Sequence, residues 1–302
     1  KEVMEFLITR PNGIYVDATL GDGGHTEAIL NRLSGKGKVI GFDWDADALS
    51  RAEKRLAAYK DKVLLLHASY TELDQALKKN GYNRVDGILV DLGATTLQLM
   101  DSKRGFSFQF DGGLDMRMDR RGSLTAKYIV NQYSLEQLTA IFFRYGEERW
   151  AKRIAARIIR ERDEKGEITS SKHLAEIVKE AVPARYRRTG GHPSRKVFQA
   201  LRLEVNGELE NIEKLLPQIL TVLAPGGRVC VIAYHSLEDR LIKQFFRAES
   251  QGCTCPPNRP CVCSGEANLK VLTRKALMPN EEEVKLNPRA RSARMRIAER
   301  TT

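Results

Sequence analysis

The chain is 302 residues long and carries 50 Lys and Arg against 39 Asp and Glu, a formal net charge of +11 at pH 7. No apolar run approaches the roughly 20 residues that a membrane span needs, and we find no signal peptide, so membrane proteins are excluded and a soluble cytoplasmic enzyme is expected. The basic balance favours a polyanionic partner, usually nucleic acid, and the length allows one large domain or two smaller ones.

The first predicted unit is a strand, a glycine-rich turn, a helix and a second strand. Ile14–Val16 is short and apolar, and three glycines within residues 21–24 let the backbone turn sharply and approach a ligand closely. A helix then leads to a second apolar strand over Lys38–Phe42, which completes a βαβ outline. Asp43 follows this strand, where a carboxylate can accept hydrogen bonds from a ribose. The unit therefore predicts a nucleoside-cofactor site.

The order of the glycines distinguishes between cofactors. They follow Gly-x-Gly-Gly rather than the Gly-x-Gly-x-x-Gly of dinucleotide enzymes, and Asp17 upstream is expected to point a further negative charge into the pocket. A pyrophosphate would be repelled by that charge, whereas a sulfonium or ammonium group would be attracted. The loop therefore favours S-adenosylmethionine over a nicotinamide cofactor, with a tight turn that holds no ligand as the alternative.

Two later segments read as further strands of the same sheet. Val85–Gly93 has a buried apolar core that ends at Asp91, and strand ends of this kind form the ligand crevice of open α/β sheets. Leu223–Ala233 reads as the end of a helix, a Pro-Gly-Gly turn and another buried strand. An amphipathic helix with apolar residues from Val205 to Ile219 precedes that turn, and Pro217 is expected to kink it or start a new turn.

Between these groups, roughly from residue 104 to residue 199, apolar residues recur at helical spacing. Ser134 with Gln137 resembles a capping box, and Ser170 or Ser171 is placed to cap a later helix. Two of the three basic regions of the chain lie here, and the third is the run from Pro288 to Arg296. We therefore predict a helical insertion that grips the substrate, with a stabilising lid as the alternative.

Four cysteines form a Cys-x-Cys, five-residue spacer, Cys-x-Cys array, and four thiolates this close together are able to bind structural zinc, although the spacing is not that of the common Cys-x-x-Cys pairs. The alternatives are reduced thiols in a loop and adventitious disulfides. The four residues are Cys253, Cys255, Cys261 and Cys263.

Taken together, the motifs of this chain resemble the bacterial ribosomal RNA small subunit methyltransferase H family. Seven motifs occur in order along nearly the whole chain, so the resemblance is highly specific. The chain begins at Lys1 with no initiating Met, so we expect residues upstream to have been removed, and a family segment with His and Pro before the first helix is absent. The motifs are Gly21–His25, Asp91–Gly93, Arg104–Phe108, Leu114–Asp119, Tyr145–Arg149, His235–Arg240 and Asn287–Ser292.

The resemblance implies an α/β fold, a Rossmann-like class I methyltransferase sheet interrupted by an all-helical domain. On this basis residues 1–103 and 200–302 form the S-adenosylmethionine-binding domain, and residues 104–199 form the substrate-binding insertion. It further implies methylation of the N4 amine of a cytidine in the decoding region of 16S rRNA, within the small ribosomal subunit. The family's cofactor-binding positions correspond to Gly23, Gly24, His25, Asp43, Tyr70, Asp91 and Gln98.

Three residues are predicted to take part in catalysis. Asp91 either accepts an amine hydrogen or holds the methionine ammonium, and the sequence does not choose between these roles. Asp115 and Arg117 would share one face of an extended segment, with Asp115 near the amine and Arg117 on a phosphate; a structural ion pair is the alternative. His235 is a candidate to stack on or hydrogen-bond the base, or to be purely structural.

Other residues are predicted to contact the RNA. The target base must leave its stack, and Phe106, Phe108 or Tyr234 would hold it unless they are core residues. The predicted phosphate contacts are Arg117, Arg185, Arg187, Arg188, Arg195, Lys196, Arg289 and Arg291. The competing functions are a nicotinamide-dependent oxidoreductase and a non-catalytic RNA-binding ribosome assembly factor.

Overall fold

The computed structural model describes residues 2–187, 192–253, 255 and 265–302. It divides into two compact units, Lys1–Gly93 with Leu209–Thr302 and Ala94–Glu208. We call the first the sheet unit and the second the helical unit. The helical unit therefore begins before and ends after the predicted insertion of residues 104–199.

The sheet unit contains a seven-stranded sheet in the order β3-β2-β1-β4-β5-β7-β6. Strands β1 to β5 are parallel, whereas β7 runs antiparallel to both β5 and β6. The expected α/β, Rossmann-like fold is therefore confirmed. The strands are β1 Ile14–Asp17, β2 Lys38–Asp43, β3 Val63–His67, β4 Val85–Asp91, β5 Leu223–Ala233, β6 Leu269–Val271 and β7 Arg294–Arg300.

Helices cover both faces of this sheet, as parallel strands require. Alternate residues of each strand face opposite sides, so Ile88 and Val90 pack in one apolar cluster while Leu89 packs in the other. Cys230 is buried in the second cluster, as expected for an inert strand residue. The helices of the sheet unit are α1 Glu2–Leu7, α2 Gly24–Leu30, α3 Ala46–Arg55, α4 Leu73–Lys79, α11 Glu208–Val222, α12 Ser236–Glu249 and α13 Glu281–Leu286.

The described residues of the helical unit contain helices and loops but no strand. Ser134 and Gln137 form the predicted capping box, and Ser170 is the residue that caps the later helix. The helices are α5 Thr96–Met100, α6 Ala126–Gln132, α7 Leu135–Arg144, α8 Ala151–Lys165, α9 Ser171–Ala181 and α10 Ser194–Asn206.

Two details differ from the sequence prediction. The helix expected over residues 205–219 is broken at Gly207, which adopts a left-handed φ of 59° and ends α10 before α11 begins. The Pro-Gly-Gly segment lies within β5, where the pairing with β4 shifts register, and Pro217 lies inside α11. Within the described residues, the helices are too short or too polar to cross a membrane.

Candidate active site

Three carboxylates stand at one edge of the sheet. Asp17, Asp43 and Asp91 are the last residues of β1, β2 and β4, and β1 pairs with both of the other strands. Because the carboxyl ends of parallel strands meet at the same edge, the three acids lie side by side. We call the three residues the acidic edge; in open α/β sheets, ligands generally bind at this end of the strands.

Asp17 occupies the floor of the acidic edge and is fully buried. Its carboxylate accepts a hydrogen bond of 2.8 Å from the hydroxyl of Thr26 and one of 3.3 Å from the main-chain nitrogen of Thr19. Burial raises the pKa of Asp17, and the nearby His25 opposes that rise. The prediction that Asp17 points into the pocket is wrong, because its buried side chain instead ties the turn after β1 to α2.

The glycine loop wraps over the end of β2. Gly21 and Gly23 have φ angles of 53° and 78°, in the left-handed region that favours glycine. The main-chain nitrogen of Gly21 donates a 2.8 Å hydrogen bond to Oδ2 of Asp43. A Cβ atom on Gly23 would come within 3.1 Å of Leu56, so the loop has little room for a side chain there. Gly24 is exposed and starts α2, leaving the loop backbone open to a ligand.

Asp43 is suited to a ribose. Its Oδ1 and Oδ2 each accept one main-chain hydrogen bond, from Asp45 and Gly21. Each carboxylate oxygen has about two lone-pair sites, so each retains one for a ribose hydroxyl. Burial raises the pKa of Asp43 to about 6. The rings of the neighbouring Trp44 and of Tyr70 lie 6.0 Å apart, and the adenine-covering role of Tyr70 stays a prediction.

Asp91 is held by donors on both of its oxygens. The Tyr234 hydroxyl donates a 3.0 Å hydrogen bond to Oδ1, and Nε2 of His25 lies 3.3 Å from Oδ2. The main-chain nitrogen of Asp91 donates to the hydroxyl of Thr19. Burial lowers the pKa of His25, but the hydrogen bond and charge of Asp91 outweigh it, and the net pKa is raised. The carboxylate is thus fixed in place with lone pairs available to a bound N–H group.

His235 has a local structural partner. Its Nδ1 accepts a 3.4 Å hydrogen bond from the main-chain nitrogen of Glu238 at the start of α12, and its Nε2 lies 3.2 Å from Oε1 of the same residue. Oε2 of Glu238 also accepts from the main-chain nitrogen of Tyr234. His235 therefore fixes the turn between β5 and α12 next to Tyr234, and its role toward the base stays a prediction.

In the helical unit, the segment that carries Asp115 has an unusual backbone. Met116 is fully buried with a left-handed φ of 59°, so the predicted extended conformation is wrong at this residue. The guanidinium of Arg104 donates to the carbonyls of Arg117 and Met118, and the Asn206 side chain bonds the main chain of Met116 and Met118. A buried side chain in this strained conformation is kept by such over-determined surroundings, which are typical of functional segments.

Asp115 and Arg117 form a fork of two hydrogen bonds, 2.8 and 2.7 Å long. The remaining nitrogen of Arg117 donates to the carbonyls of Arg120 and Gly122, which is the arrangement expected of a structural ion pair. Burial works to raise the pKa of Asp115, but the bonds from Arg117 outweigh it and hold the pKa below its usual range. Asp115 is therefore an ionised acceptor, and the predicted phosphate contact of Arg117 stays a prediction.

Gln98 forms a capping box with Thr95 at the start of α5, and it is buried. Phe106 is also buried beneath Arg104, and Phe108 stacks against His192 at 4.7 Å. These contacts lie inside the helical unit and give each side chain a packing role. A cofactor role for Gln98 stays a prediction.

Several of the predicted phosphate contacts have local partners. Arg187 donates to the carbonyls of Val182 and Glu180, and the ammonium of Lys196 donates to the carbonyl of Glu147. The guanidinium of Arg185 lies 4.7 Å from the ring centre of the neighbouring Tyr186. Arg188 lies outside the described residues. The exposed members of the set are Arg185, Arg195, Lys196, Arg289 and Arg291.

The four-cysteine array is only half described. Cys253 is exposed and Cys255 is half-buried, whereas Cys261 and Cys263 lie outside the described residues. Across the described part of the chain, His, Cys, Asp and Glu side chains form no group of three or more that could hold a metal ion. The zinc hypothesis therefore has no support here.

Sequence reasoning missed Trp44 and the anchoring role of Thr19 and Thr26. Trp44 directly follows Asp43, so an aromatic next to the acid predicted to bind the ribose was the available signal. The contact between Tyr234 and Asp91 joins residues 143 positions apart, so no local sequence pattern predicts it.

Comparison with known proteins agrees with the motifs. Residues 1–301 match the MraW methylase family. The ribosomal RNA small subunit methyltransferase H of Halothermothrix orenii is 48% identical over 301 residues, covering 99% of this chain and 96% of that protein. The protein of the same name from Heliobacterium mobile is 44% identical over 302 residues, with the same coverage.

Solved structures are more distant. An rRNA methylase from Streptococcus thermophilus gives a TM-score of 0.44 at 13% identity, covering 99% of this chain and 92% of that one, and no conclusion rests on it. The family match and the close relatives confirm the resemblance found in the sequence. This chain belongs to the MraW methylase family and is an S-adenosylmethionine-dependent methyltransferase.

Proposed function

We propose that this chain transfers the methyl group of S-adenosylmethionine to the N4 amine of a cytidine in the decoding region of 16S rRNA, acting on the small ribosomal subunit in the cytoplasm. The observation that carries the proposal is the acidic edge, with Asp91 held between Tyr234 and His25. The names of the relatives support the small-subunit substrate.

The acidic edge fits the methyl donor. Carboxylates at the ends of β2 and β4 favour a ligand that carries sulfonium and ammonium charges and disfavour a pyrophosphate. Asp43 offers one acceptor site on each oxygen to the ribose, and Trp44 and Tyr70 offer an apolar wall to the adenine. Gly23, Gly24 and His25 supply the loop that would cover the amino-acid end. When bound, S-adenosylmethionine supplies an electrophilic methyl group on sulfur.

The protein has to activate a poor nucleophile. The lone pair of the cytosine amine is delocalised into the ring, so orientation and acceptor groups are the means of promoting the reaction. Asp91 presents a fixed carboxylate to an N–H group, either the ammonium of the donor or the target amine. Measurements on Asp91→Asn separate these roles: weaker donor binding assigns Asp91 to the ammonium, and slower turnover with unchanged donor binding assigns it to the amine.

Asp115 and His235 have supporting roles in this proposal. The low pKa of Asp115 suits a hydrogen-bond acceptor toward the amine rather than a proton acceptor. His235 fixes the turn after β5, and so keeps the neighbouring Tyr234 on Asp91. Gln98 and the exposed basic residues stay in the proposal as contacts of the cofactor and of RNA phosphates.

The decisive experiment is methyl transfer to purified small subunits that lack the modification, followed by mass mapping of the modified base. The proposal expects one added methyl group on N4 of a single cytidine. A methyl group on another position or on a ribosomal protein would overturn it.

Calorimetry separates the competing functions. An S-adenosylmethionine enzyme binds this donor and its demethylated product, an oxidoreductase binds NAD, and an assembly factor binds the subunit without either. Family membership favours neither competitor.

A further inference from the structure

A second concave site lies in the sheet unit, away from the acidic edge. A cavity of about 590 Å³ opens between the C-terminal half of α12 and the segment that contains β6. None of its lining residues belongs to the acidic edge. Its floor and its rim differ in chemistry.

The floor of this cavity is apolar. Phe246 and Leu269 are almost completely buried, and Val271 is half-buried beside them. Arg296 also reaches the wall, but its guanidinium is bound by the carboxylate of Asp239 at 2.6 and 3.0 Å. Phe246 and Leu269 are therefore core residues beneath the cavity, the Arg296 cation is already neutralised, and the exposed charged groups lie on the rim.

The rim is strongly basic. Lys243 and Arg247 lie one helical turn apart on α12, and Lys270 and Arg274 face the cavity from the other side. All four side chains are exposed, and none forms an ion pair with another residue in the described ranges. Four cations around one concavity repel each other unless an anion sits among them. The rim is thus complementary to a ligand with several negative charges.

We propose that this cavity, the α12 rim site, is a second RNA-binding site that holds the backbone of the substrate strand, with successive phosphates on the four cations. The inference rests on the proposed function, because that function supplies the RNA. A positively charged groove that follows the backbone is one of the means by which proteins hold single-stranded nucleic acid.

The position of the rim site supports a contact to the same RNA strand that carries the target base. Helix α12 begins directly after Tyr234 and His235, at the acidic edge. At 1.5 Å per residue, Lys243 lies about 12 Å along this helix from His235, and Arg247 about 18 Å. A strand of a few nucleotides spans that distance, so the rim site would hold the flank of the target rather than the target itself.

The test is a triple variant, K243Q/R247Q/K270Q, and its affinity for small subunits measured without a methyl donor at several salt concentrations. A single-strand phosphate contact contributes about 0.7 to the salt slope, so three lost contacts should reduce the slope by about 2. We expect affinity to fall about tenfold or more near 0.15 M salt. The matched control, R32Q/K36Q/K54Q, removes the same charge from exposed positions elsewhere on the sheet unit.

Each outcome decides the proposal. An equal loss in both variants would mean that only net charge matters and would overturn the rim site. The loss must recur with protein-free 16S rRNA; a loss seen only with intact subunits would assign the rim to a ribosomal protein and overturn the RNA assignment. Calorimetry with S-adenosylmethionine, expected to be unchanged, checks the fold. Because the binding assay needs no methyl transfer, failure of the wild type to methylate subunits would overturn the proposed function separately.

Discussion

The hydroxyl of Tyr234 lies 3.0 Å from Oδ1 of Asp91 and donates a hydrogen bond to it. The two residues end neighbouring parallel strands or follow directly after them, so the sheet itself sets their distance. Burial, followed by the charge of Asp91, raises the pKa of Tyr234. The phenol therefore stays protonated throughout the working range of pH and keeps its hydrogen for Asp91.

Tyr234→Phe should lower kcat/KM for small subunits by about tenfold, because a lost hydrogen bond to a charged group costs about 1.5 kcal/mol or more. The matched control is Tyr59→Phe, which removes a hydroxyl that bonds Asn31 on the exposed surface. Steady-state kinetics on both variants make the measurement. Equal values for the two would contradict a positioning role for Tyr234.

Donor binding should depend on pH through Asp43. Its pKa is raised to about 6, so the carboxylate is ionised above that pH and becomes protonated below it. The affinity for S-adenosylmethionine should therefore fall as pH drops through about 6, approaching tenfold per pH unit for one bound proton. Calorimetry from pH 7.5 to pH 5 measures this.

The control for this effect is Asp43→Asn, which should bind the donor weakly and lose the pH dependence below about 6. The pKa of His25 is raised above its ordinary value, so its titration falls at higher pH and remains in the variant. A wild-type affinity that is flat from pH 7 to pH 5 would remove Asp43 from the site.

Asp115 can be tested against a nearly identical neighbour. Asp115 pairs with Arg117, and Asp119 pairs with Arg121 at the same spacing. If Asp115 contacts the amine, Asp115→Asn should lower kcat by at least about tenfold, the scale of one lost catalytic hydrogen bond, and Asp119→Asn should change it far less. Turnover on small subunits decides, and an unchanged kcat for Asp115→Asn would leave the pair with a structural role only.

Stability of the sheet unit should depend on the buried pair of Arg296 and Asp239. Removing one partner, as in Arg296→Met, should cost about 3 kcal/mol in the free energy of unfolding, the low end of the range for a broken buried pair, because Asp239 then keeps only its longer 3.5 Å contact with the partly exposed Arg294. The double variant R296M/D239L should recover most of that loss. Urea unfolding measures both, and a double variant no more stable than the single one would contradict this account.

The same pair should respond to acid. Burial works to raise the pKa of Asp239, but the bonds from Arg296 outweigh it and lower the pKa. Its contribution to stability is therefore complete above the unfolded-state pKa of about 4 and is lost as pH falls through the lowered value. The free energy of unfolding of the wild type should therefore fall toward that of R296M/D239L as the pH drops below about 4.

Some parts of the fold could be predicted because their signals are local. The glycine loop, the acids that end β1, β2 and β4, and the capping box at Ser134 each follow from a few adjacent residues. The strand β7 was not predicted, because its arginines read as a surface run. Arg296 is in fact buried, and its partner Asp239 lies 57 residues earlier in the chain.

The residues of the candidate site could be predicted only where they lie close together in the sequence. Asp43 and the loop lie within one βαβ unit, whereas Tyr234 reaches Asp91 from a strand that follows the helical unit. The backbone conformation of Met116 could not be predicted from the sequence either. Its left-handed backbone is imposed by bonds from Arg104 and Asn206, and nothing in the residue itself favours that conformation.

The place of the helical unit between β4 and β5 has a consequence for biosynthesis. As the nascent chain leaves the ribosome, residues 94–208 emerge before β5. The edge of β4 that pairs with β5, for example Leu89 with Cys230, therefore stays unpaired until β5 has been synthesised. The helical unit, rich in local contacts, has time to fold first, while an open strand edge stays exposed to aggregation. Synthesis rate and chaperone supply should therefore govern the yield of active enzyme.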